Sequence, residues 1–158
     1  MYKQILPLLL LSLAYFRTCS SVPTDSKQVS LTELGTSMNV TYYVGHEEIS
    51  RDAGKVLCFF NNLTLAEVLH PEQEQFLAQA LTELDEFSHY HTGGRARTGL
   101  DSLVWETSNS GVNALSAVEL NLQDPLCLLI RVPDYPTLWE TDPCTDNWPP
   151  ICQTPVSD

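Results

Sequence analysis

Residues Leu138 to Gln153 read LWETDPCTDNWPPICQ, and this stretch holds two of the five cysteines in the 158-residue chain, Cys144 and Cys152. Turn-forming residues and one tryptophan separate the two cysteines. A structural zinc site would use CxxC pairs, and so would a buried redox site. The spacing therefore favours a loop in which each cysteine forms a disulfide with a distant partner.

The first twenty residues are typical of a secretory signal peptide. Lys3 precedes an apolar run from Ile5 to Phe16, and small residues follow the run. The run is shorter than the ~20 apolar residues that a membrane-spanning helix needs, although an uncleaved anchor is the alternative. We therefore expect residues 1–20 to be a signal peptide, and the mature chain to be soluble, secreted and extracellular, with no membrane insertion.

Four cysteines are left in the mature chain, because Cys19 lies within the signal peptide. An even number of cysteines in an exported protein predicts two disulfides, and three connectivities are open from the spacing alone. The four are Cys58, Cys127, Cys144 and Cys152. A retained Cys19 could join two chains, so the oligomeric state is left open.

The chain is strongly acidic. It has 8 basic and 20 acidic residues, a formal charge of −12 at pH 7. Loss of Lys3 and Arg17 with the signal peptide leaves 6 basic residues against 20 acidic ones, which is −14. This charge repels phosphate groups, so we expect no nucleic-acid partner and no binding to anionic membrane surfaces.

Two N-x-[ST] sequons agree with export. They begin at Asn39 and Asn62, and neither contains a proline. We therefore expect both asparagines to carry N-linked glycans.

The apolar pattern predicts two helices. Ser50 is suited to cap a helix that carries Cys58 near its end, and apolar residues follow at helical spacing. Pro71, with acidic residues in the first turn after it, predicts the start of a second helix. The apolar stripe of this second helix runs to about Phe87 and is expected to face the core.

The rest of the mature chain predicts loops and short strands. Residues 21–37 are polar without periodicity and predict a flexible lead, whereas Val40 to Gly45 predicts a strand. Gly93 and Gly94 predict a loop after the second helix. Short strands are predicted in four later segments: 100–106, 127–132, 137–140 and 150–153. This order predicts one α+β domain with a mostly antiparallel sheet over residues 38–154, followed by a tail at residues 155–158.

Several stretches together resemble the C-type lectin-like domain family. The segment TYYVGHEEISRDAGKVLC (residues 41–58) is similar to the family's opening strand and first helix, and LTLAEVLHPEQEQFLAQAL (63–81) to its second helix. TGLD (98–101) resembles the family's WIGL stretch, with Arg97 where tryptophan usually stands, and LVWE (103–106) the strand that follows. CLLI, LWETDPC and NWPPICQ resemble the family's closing segments. The likeness covers about residues 40–153.

The resemblance implies a fold and a disulfide pairing. It implies the C-type lectin-like fold, in which two helices pack on short, mostly antiparallel strands with two disulfides. By family likeness, one disulfide joins Cys58 to Cys152 and the other joins Cys127 to Cys144.

The resemblance also implies where a calcium-dependent sugar site would lie. Sugar-binding members use an EPN or QPD triplet and a WND triplet, because calcium prefers six to eight oxygen ligands. Here Glu119 and Asn121 match EPN, but Leu120 replaces the proline; Glu140 and Thr141 replace the asparagine and aspartate of WND. We therefore expect a degenerate site and no metal or other cofactor, although Glu119 and Asn121 keep calcium as the alternative.

Other side chains suggest no catalysis. His89 and His91 form a His-x-His pair without a clear third ligand, so both are expected to be surface residues. Of the three tryptophans, Trp148 is expected to be the most exposed. We expect a non-enzymatic binding protein whose partner is an extracellular protein or a glycan. Protein recognition is the first hypothesis, and a carbohydrate-binding lectin with divergent calcium geometry is the alternative.

Overall fold

The computed structural model describes residues 30–96, 102–113, 115, 118–119, 126–132 and 138–155. The predicted signal peptide, the first part of the predicted lead, the TGLD stretch, Asn121 and residues 156–158 of the predicted tail lie outside the described residues. In the described ranges, no helix is long and apolar enough to cross a membrane.

Two helices form where the sequence predicts them: α1 spans Arg51–Phe60 and α2 spans Pro71–Leu84. The Ser50 hydroxyl caps α1 by accepting a hydrogen bond from a first-turn backbone N–H at 3.4 Å. The second helix ends at Leu84 rather than near Phe87, because Asp85 adopts a left-handed backbone with φ of 48°.

The strands build two larger sheets in the described part of the chain. The strands are β1 (Leu31–Ser37), β2 (Val40–Gly45), β3 (Ile49–Ser50), β4 (Thr64–Leu65), β5 (His89–Ala96), β6 (Leu103–Trp105), β7 (Val118–Glu119), β8 (Leu126–Arg131), β9 (Leu138–Pro143), β10 (Asn147–Trp148) and β11 (Ile151–Gln153). A four-stranded sheet has the order β1-β2-β11-β4, and a five-stranded sheet has the order β6-β5-β8-β9-β7. Strands β10 and β3 form a separate antiparallel pair, and only the β7–β9 pair is parallel among the described strand pairs.

Strand β1 corrects the predicted flexible lead. The prediction placed residues 21–37 outside the domain, but Leu31–Ser37 pairs with β2 along its whole length. The connecting turn at Met38 and Asn39 has φ of 51° and 62°, a left-handed pair that suits a tight hairpin. β1 is the edge strand of its sheet, and much of it faces solvent. Many of its side chains are therefore polar, and the sequence pattern does not predict a strand there.

Strand β5 corrects the predicted loop at Gly93 and Gly94. These glycines lie inside an eight-residue strand. Glycine is required there because the surrounding packing leaves no room for a side chain. A Cβ on Gly94 would lie 2.7 Å from the Leu128 Cβ, and one on Gly93 would lie 3.1 Å from the Ala66 carbonyl oxygen. Close backbone approach, not a turn, explains the two glycines.

The core lies between the two sheets and α2, and two buried tryptophans occupy it. Trp105 and Trp139 are fully buried, with ring centroids 6.0 Å apart in an edge-to-face arrangement. The indole Nε1 of Trp139 donates to the buried Glu74 carboxylate at 2.7 Å, which links β9 to α2. This satisfies a polar atom that would otherwise be costly to bury.

Both disulfides of the described chain have the pairing that the family resemblance implies. Cys58 in α1 bonds Cys152 in β11, and Cys127 in β8 bonds Cys144 just after β9. The first disulfide is fully buried beside Leu65. It joins the first helix to β11, which lies between β2 and β4 in the four-stranded sheet.

A buried arginine fastens α1 to the five-stranded sheet. Arg51 donates to the backbone oxygens of Thr92 and Gly93 at 3.3 and 3.1 Å, and to the Glu106 carboxylate at 2.7 Å. Lys55 donates to the other Glu106 oxygen at 2.7 Å. Burial favours the neutral form of Glu106, but the hydrogen bonds from Lys55 and Arg51 outweigh it and lower the pKa of Glu106 to about 2.

His91 is buried in β5, so the expectation that it is a surface residue is wrong. Its Nε2 donates to the backbone oxygen of Asp146 at 3.0 Å, which holds the loop after Cys144 against β5. Burial lowers the pKa of His91 to about 4; the hydrogen bond to Asp146 opposes this shift and the charge of Arg51 adds to it.

This shift predicts a loss of stability in mild acid. Between pH 6.5 and pH 4 the unfolded chain binds a proton at His91 that the folded chain does not, so the free energy of unfolding falls as pH falls. The contribution is on the order of 3 kcal/mol, complete near pH 4. Urea unfolding at pH 7 and pH 4 should show a smaller acid loss for His91→Gln than for the wild type. Equal acid losses in the two proteins would contradict a buried neutral His91.

Candidate functional site

Of the residues predicted for the calcium and sugar site, the structure describes Glu140, Thr141 and the backbone of Glu119. Glu119 and Glu140 are backbone neighbours, because β7 and β9 pair in parallel with these two residues in register. Glu140 and Thr141 are consecutive in β9. Asn121 lies outside the described residues.

Glu140 belongs to a polar and aromatic cluster at one end of the five-stranded sheet. We define the β9 surface as Ser88, His89, Arg131, Glu140 and Trp148. His89 begins β5 and pairs with Arg131 at the end of β8, while Glu140 lies across from the residue two positions before Arg131. Side chains two residues apart share a face of a strand, so this register brings all three together.

The contacts within the β9 surface hold its side chains in place. His89 Nε2 donates to the Glu140 carboxylate at 2.7 Å, and Arg131 lies 4.0 Å from the other Glu140 oxygen. The Ser88 hydroxyl is 2.7 Å from His89 Nδ1. The Trp148 ring lies against the His89 ring with centroids 4.6 Å apart and planes tilted by 37°.

Two carboxylates add negative charge beside this surface. Asp142 in β9 is half-buried, and Asp146 in the following loop is exposed. Burial raises the pKa of Asp142, and the nearby Asp146 carboxylate raises it further. Asp142 and Asp146 are therefore close enough for their charges to interact.

Among the described residues, Glu140 and Thr141 are not arranged as the open calcium ligands that the resemblance implies. Thr141, in the position of the calcium-binding aspartate, is buried in the sheet, where it pairs with Leu128. One Glu140 oxygen accepts a hydrogen bond from His89 at 2.7 Å, and the other lies 4.0 Å from the Arg131 guanidinium. Across the described ranges, no group of three or more His, Cys, Asp and Glu side chains is arranged to hold a metal ion.

Ser88, His89 and Glu140 are linked in the order that activates a serine nucleophile in hydrolases. Two observations favour a local contact instead. Ser88 and His89 are consecutive residues, so their side chains meet at the start of the strand, and Ser88 is exposed. The cavity that Ser88 lines has a volume of about 180 Å³, below the roughly 300–1,000 Å³ of small-molecule sites.

A second surface feature lies at the end of α1. We define the α1 surface as Val56, Phe59 and Phe60, whose side chains are 52%, 73% and 78% exposed. A mostly apolar groove of about 320 Å³ opens beside it, with Phe59, Leu63 and Leu65 on its walls and the Lys55–Glu106 ion pair at its rim. The three side chains come from one helix end, and contiguous exposed apolar patches, when large, mark interaction sites.

Solved structures with the same arrangement identify the fold. Human lithostathine is similar with a TM-score of 0.62 and 15% identity, over 89% of this chain and 99% of that chain. A complex of SPL-1 with GlcNAc has a TM-score of 0.59 and 20% identity, over 75% of this chain and 89% of that chain. EMS16, an antagonist of the collagen receptor integrin α2β1, has a TM-score of 0.57 and 15% identity, over 78% of this chain and 94% of that chain.

The protein therefore has the C-type lectin-like fold, which confirms the predicted α+β class with two helices, mostly antiparallel strands and two disulfides. No model of a known protein family matches the sequence, and no curated protein matches it either. The similar structures include proteins whose stated ligands are a sugar and a protein receptor.

Sequence reasoning missed the β9 surface as a unit. His89 was expected to be an isolated surface residue, and its pairing with Glu140 depends on the register of β5, β8 and β9. No local signal in the sequence predicts that register. The prediction that Trp148 is the most exposed tryptophan is confirmed, because it is half-buried while the other two are fully buried.

Proposed function

We propose that the protein is a secreted, non-enzymatic binding protein that recognises an extracellular protein through the β9 surface and no longer uses a calcium-dependent sugar site. The observation that carries this proposal is the pairing of Glu140 with His89 and Arg131. The protein's own side chains satisfy the carboxylate that a calcium ion would otherwise share. Because one fold serves many ligands, the proposal rests on this site and not on the similar structures.

The composition of the β9 surface suits protein recognition. Tryptophan and arginine are the residues most often found at the energetic centres of protein interfaces. Contacts to His89 and Glu140 already restrict Trp148 and Arg131, so binding loses less side-chain entropy. Without residues 1–20 the chain has 6 basic and 20 acidic residues, a formal charge of −14, which favours long-range steering of a partner with net positive charge. Arg131 is the local cation of the β9 surface and is expected to contact an acidic group on that partner.

Charge reversal at Arg131 tests the proposal. Wild-type protein, Arg131→Glu and Arg95→Glu would be screened against purified extracellular ectodomains and a glycan array, with and without EDTA. Arg95 is an exposed strand arginine outside the β9 surface, so it is the matched control. We expect an ectodomain that binds equally in EDTA, at least tenfold more weakly with Arg131→Glu, and within about twofold with Arg95→Glu. Equal losses for the two variants would contradict the assignment of the surface.

Sugar binding is the second candidate function. The structural similarity to the SPL-1–GlcNAc complex and the half-buried Trp148, whose indole could pack on a sugar ring, favour it. Calcium-dependent binding on the glycan array, together with a lower Tm after chelation, would replace protein recognition with this function, because a ligand of the native state stabilises it.

We also propose that residues 1–20 are removed on export and that Asn39 and Asn62 are glycosylated. Both asparagines are exposed, and both lie in turns with left-handed backbone, at φ of 62° and 59°. Accessible turns are suitable acceptors for a bulky modification. The intact mass of the secreted protein, before and after glycan removal, tests both processing steps.

A further inference from the structure

The exposed aromatic rings of the α1 surface lie beside the second sequon. Phe59 and Phe60 are in edge-to-face contact, with centroids 6.1 Å apart. Asn62 is exposed and follows Phe60 by two positions. The second sequon therefore lies next to the most exposed large apolar side chains among the described residues.

The turn that carries Asn62 is held firmly against the helix end. The Asn62 backbone N–H donates to Phe59 O at 3.0 Å, and the Leu63 N–H donates to Cys58 O at 2.9 Å. The Asn61 side chain donates to Leu57 O at 2.9 Å. Cys58 is itself fixed by its disulfide, so the backbone of Asn62 is held at a fixed position relative to the backbone of Phe59 and Phe60.

We propose that the first N-acetylglucosamine of a glycan on Asn62 packs on Phe60 and Phe59 and covers the α1 surface. The C–H face of a pyranose ring is apolar and carries partial positive charge, whereas the face of a phenyl ring is negative. Packing the two together also removes apolar area of both from water. The fold is stabilised when Asn62 is glycosylated.

Two features favour the glycan, rather than a second copy of this chain or another protein, as the group that covers the α1 surface. A glycan attached two positions away reaches the rings at an effective concentration of about millimolar or higher, without any diffusing partner. The groove of about 320 Å³ also connects the rings to the sequon, because Phe59 and the sequon residue Thr64 both line it. Asn39 has no matching arrangement among the described residues, since its turn carries Met38 and Val40 rather than aromatic rings.

Substitutions at Thr64 test the stabilisation. Its hydroxyl oxygen is buried and has no hydrogen-bond partner among the described residues, so Thr64→Val removes the sequon with little change in packing. Thr64→Ser keeps the sequon. In protein from a eukaryotic secretory host, we expect Thr64→Val to lower the Tm by roughly 4 °C. We expect the glycosylated Thr64→Ser fraction, and Asn39→Gly, whose turn suits glycine at φ of 62°, to stay close to the wild type.

Coupling between the rings and the glycan tests the contact itself. Phe60→Ala should lower the Tm of glycosylated protein by several degrees but that of the Thr64→Val protein hardly at all. Trimming the glycan to a single N-acetylglucosamine should preserve the stabilisation. Three results would overturn the proposal: equal Phe60→Ala effects in both backgrounds, an unmodified Asn62 by mass spectrometry, or dimerisation of the glycosylated protein that Phe60→Ala abolishes.

Discussion

Replacing Cys58 and Cys152 together by alanine is expected to lower the free energy of unfolding by about 4–5 kcal/mol. This disulfide spans 94 positions of the chain, so its loss frees a long loop in the unfolded state. Many domains have only about 5–15 kcal/mol of net stability, so the loss could remove most of it. Chemical unfolding under non-reducing conditions would measure the difference.

The second disulfide supplies a matched control. Cys127 and Cys144 are 17 positions apart, and the same double alanine substitution there should cost about 3 kcal/mol because the closed loop is shorter. Both variants remove two sulfurs and leave one native disulfide in place. A larger loss at Cys127 and Cys144 would show that local packing, and not loop length, decides the contribution of each bridge.

Replacing Arg51 by methionine, which has a similar length and no charge, is expected to cost about 3 kcal/mol. The substitution removes the Arg51 hydrogen bonds to the backbone oxygens of Thr92 and Gly93 and to the Glu106 carboxylate. Gly93 O still accepts from the Glu106 N–H at 3.0 Å and the carboxylate still accepts from Lys55, so the loss comes from three buried or partly buried hydrogen bonds to a charged donor. The pKa of Glu106 should also rise above its present value of about 2. Urea unfolding and a carboxylate titration by NMR measure the two effects.

Lys55→Met separates burial from charge in this network. Lys55 contacts the same carboxylate at 2.7 Å, but its side chain is 54% exposed against 4% for Arg51. Exposed ion pairs contribute about 0.2–1 kcal/mol, so this variant should unfold within about 1 kcal/mol of the wild type. Equal losses in the free energy of unfolding for Lys55→Met and Arg51→Met would contradict the stabilising role assigned to the backbone contacts of Arg51.

The parts of the fold that could be predicted are those with strong local signals. Ser50 and Pro71 mark the starts of the two helices by capping chemistry and by a fixed φ, which act within one turn. The disulfide pairing followed from the family resemblance and not from spacing, which left three connectivities open. Local chemistry and likeness together therefore reached the fold class.

The parts that could not be predicted depend on residues far apart in the chain. Gly93 and Gly94 have the local signature of a loop, and only the packing of Ala66 and Leu128 against them explains a strand. Burial of Arg51 requires β5 as its acceptor, and the pairing of Glu140 with His89 requires the register of three strands. Contacts between distant parts of the chain leave no local pattern in a single sequence from which they could be predicted.

The position of β11 has a consequence for the order in which the chain can fold during synthesis. Ile151–Gln153 lies between β2 and β4, and β4 has no other partner among the described strands. The four-stranded sheet therefore cannot close until residues 151–153 have left the ribosome. Cys58 meets its partner equally late, while Cys127 and Cys144 emerge first as competitors. Such long-range closure slows folding and exposes unpaired strands, so for the proposed secreted form we expect disulfide isomerases to determine how much native protein is recovered.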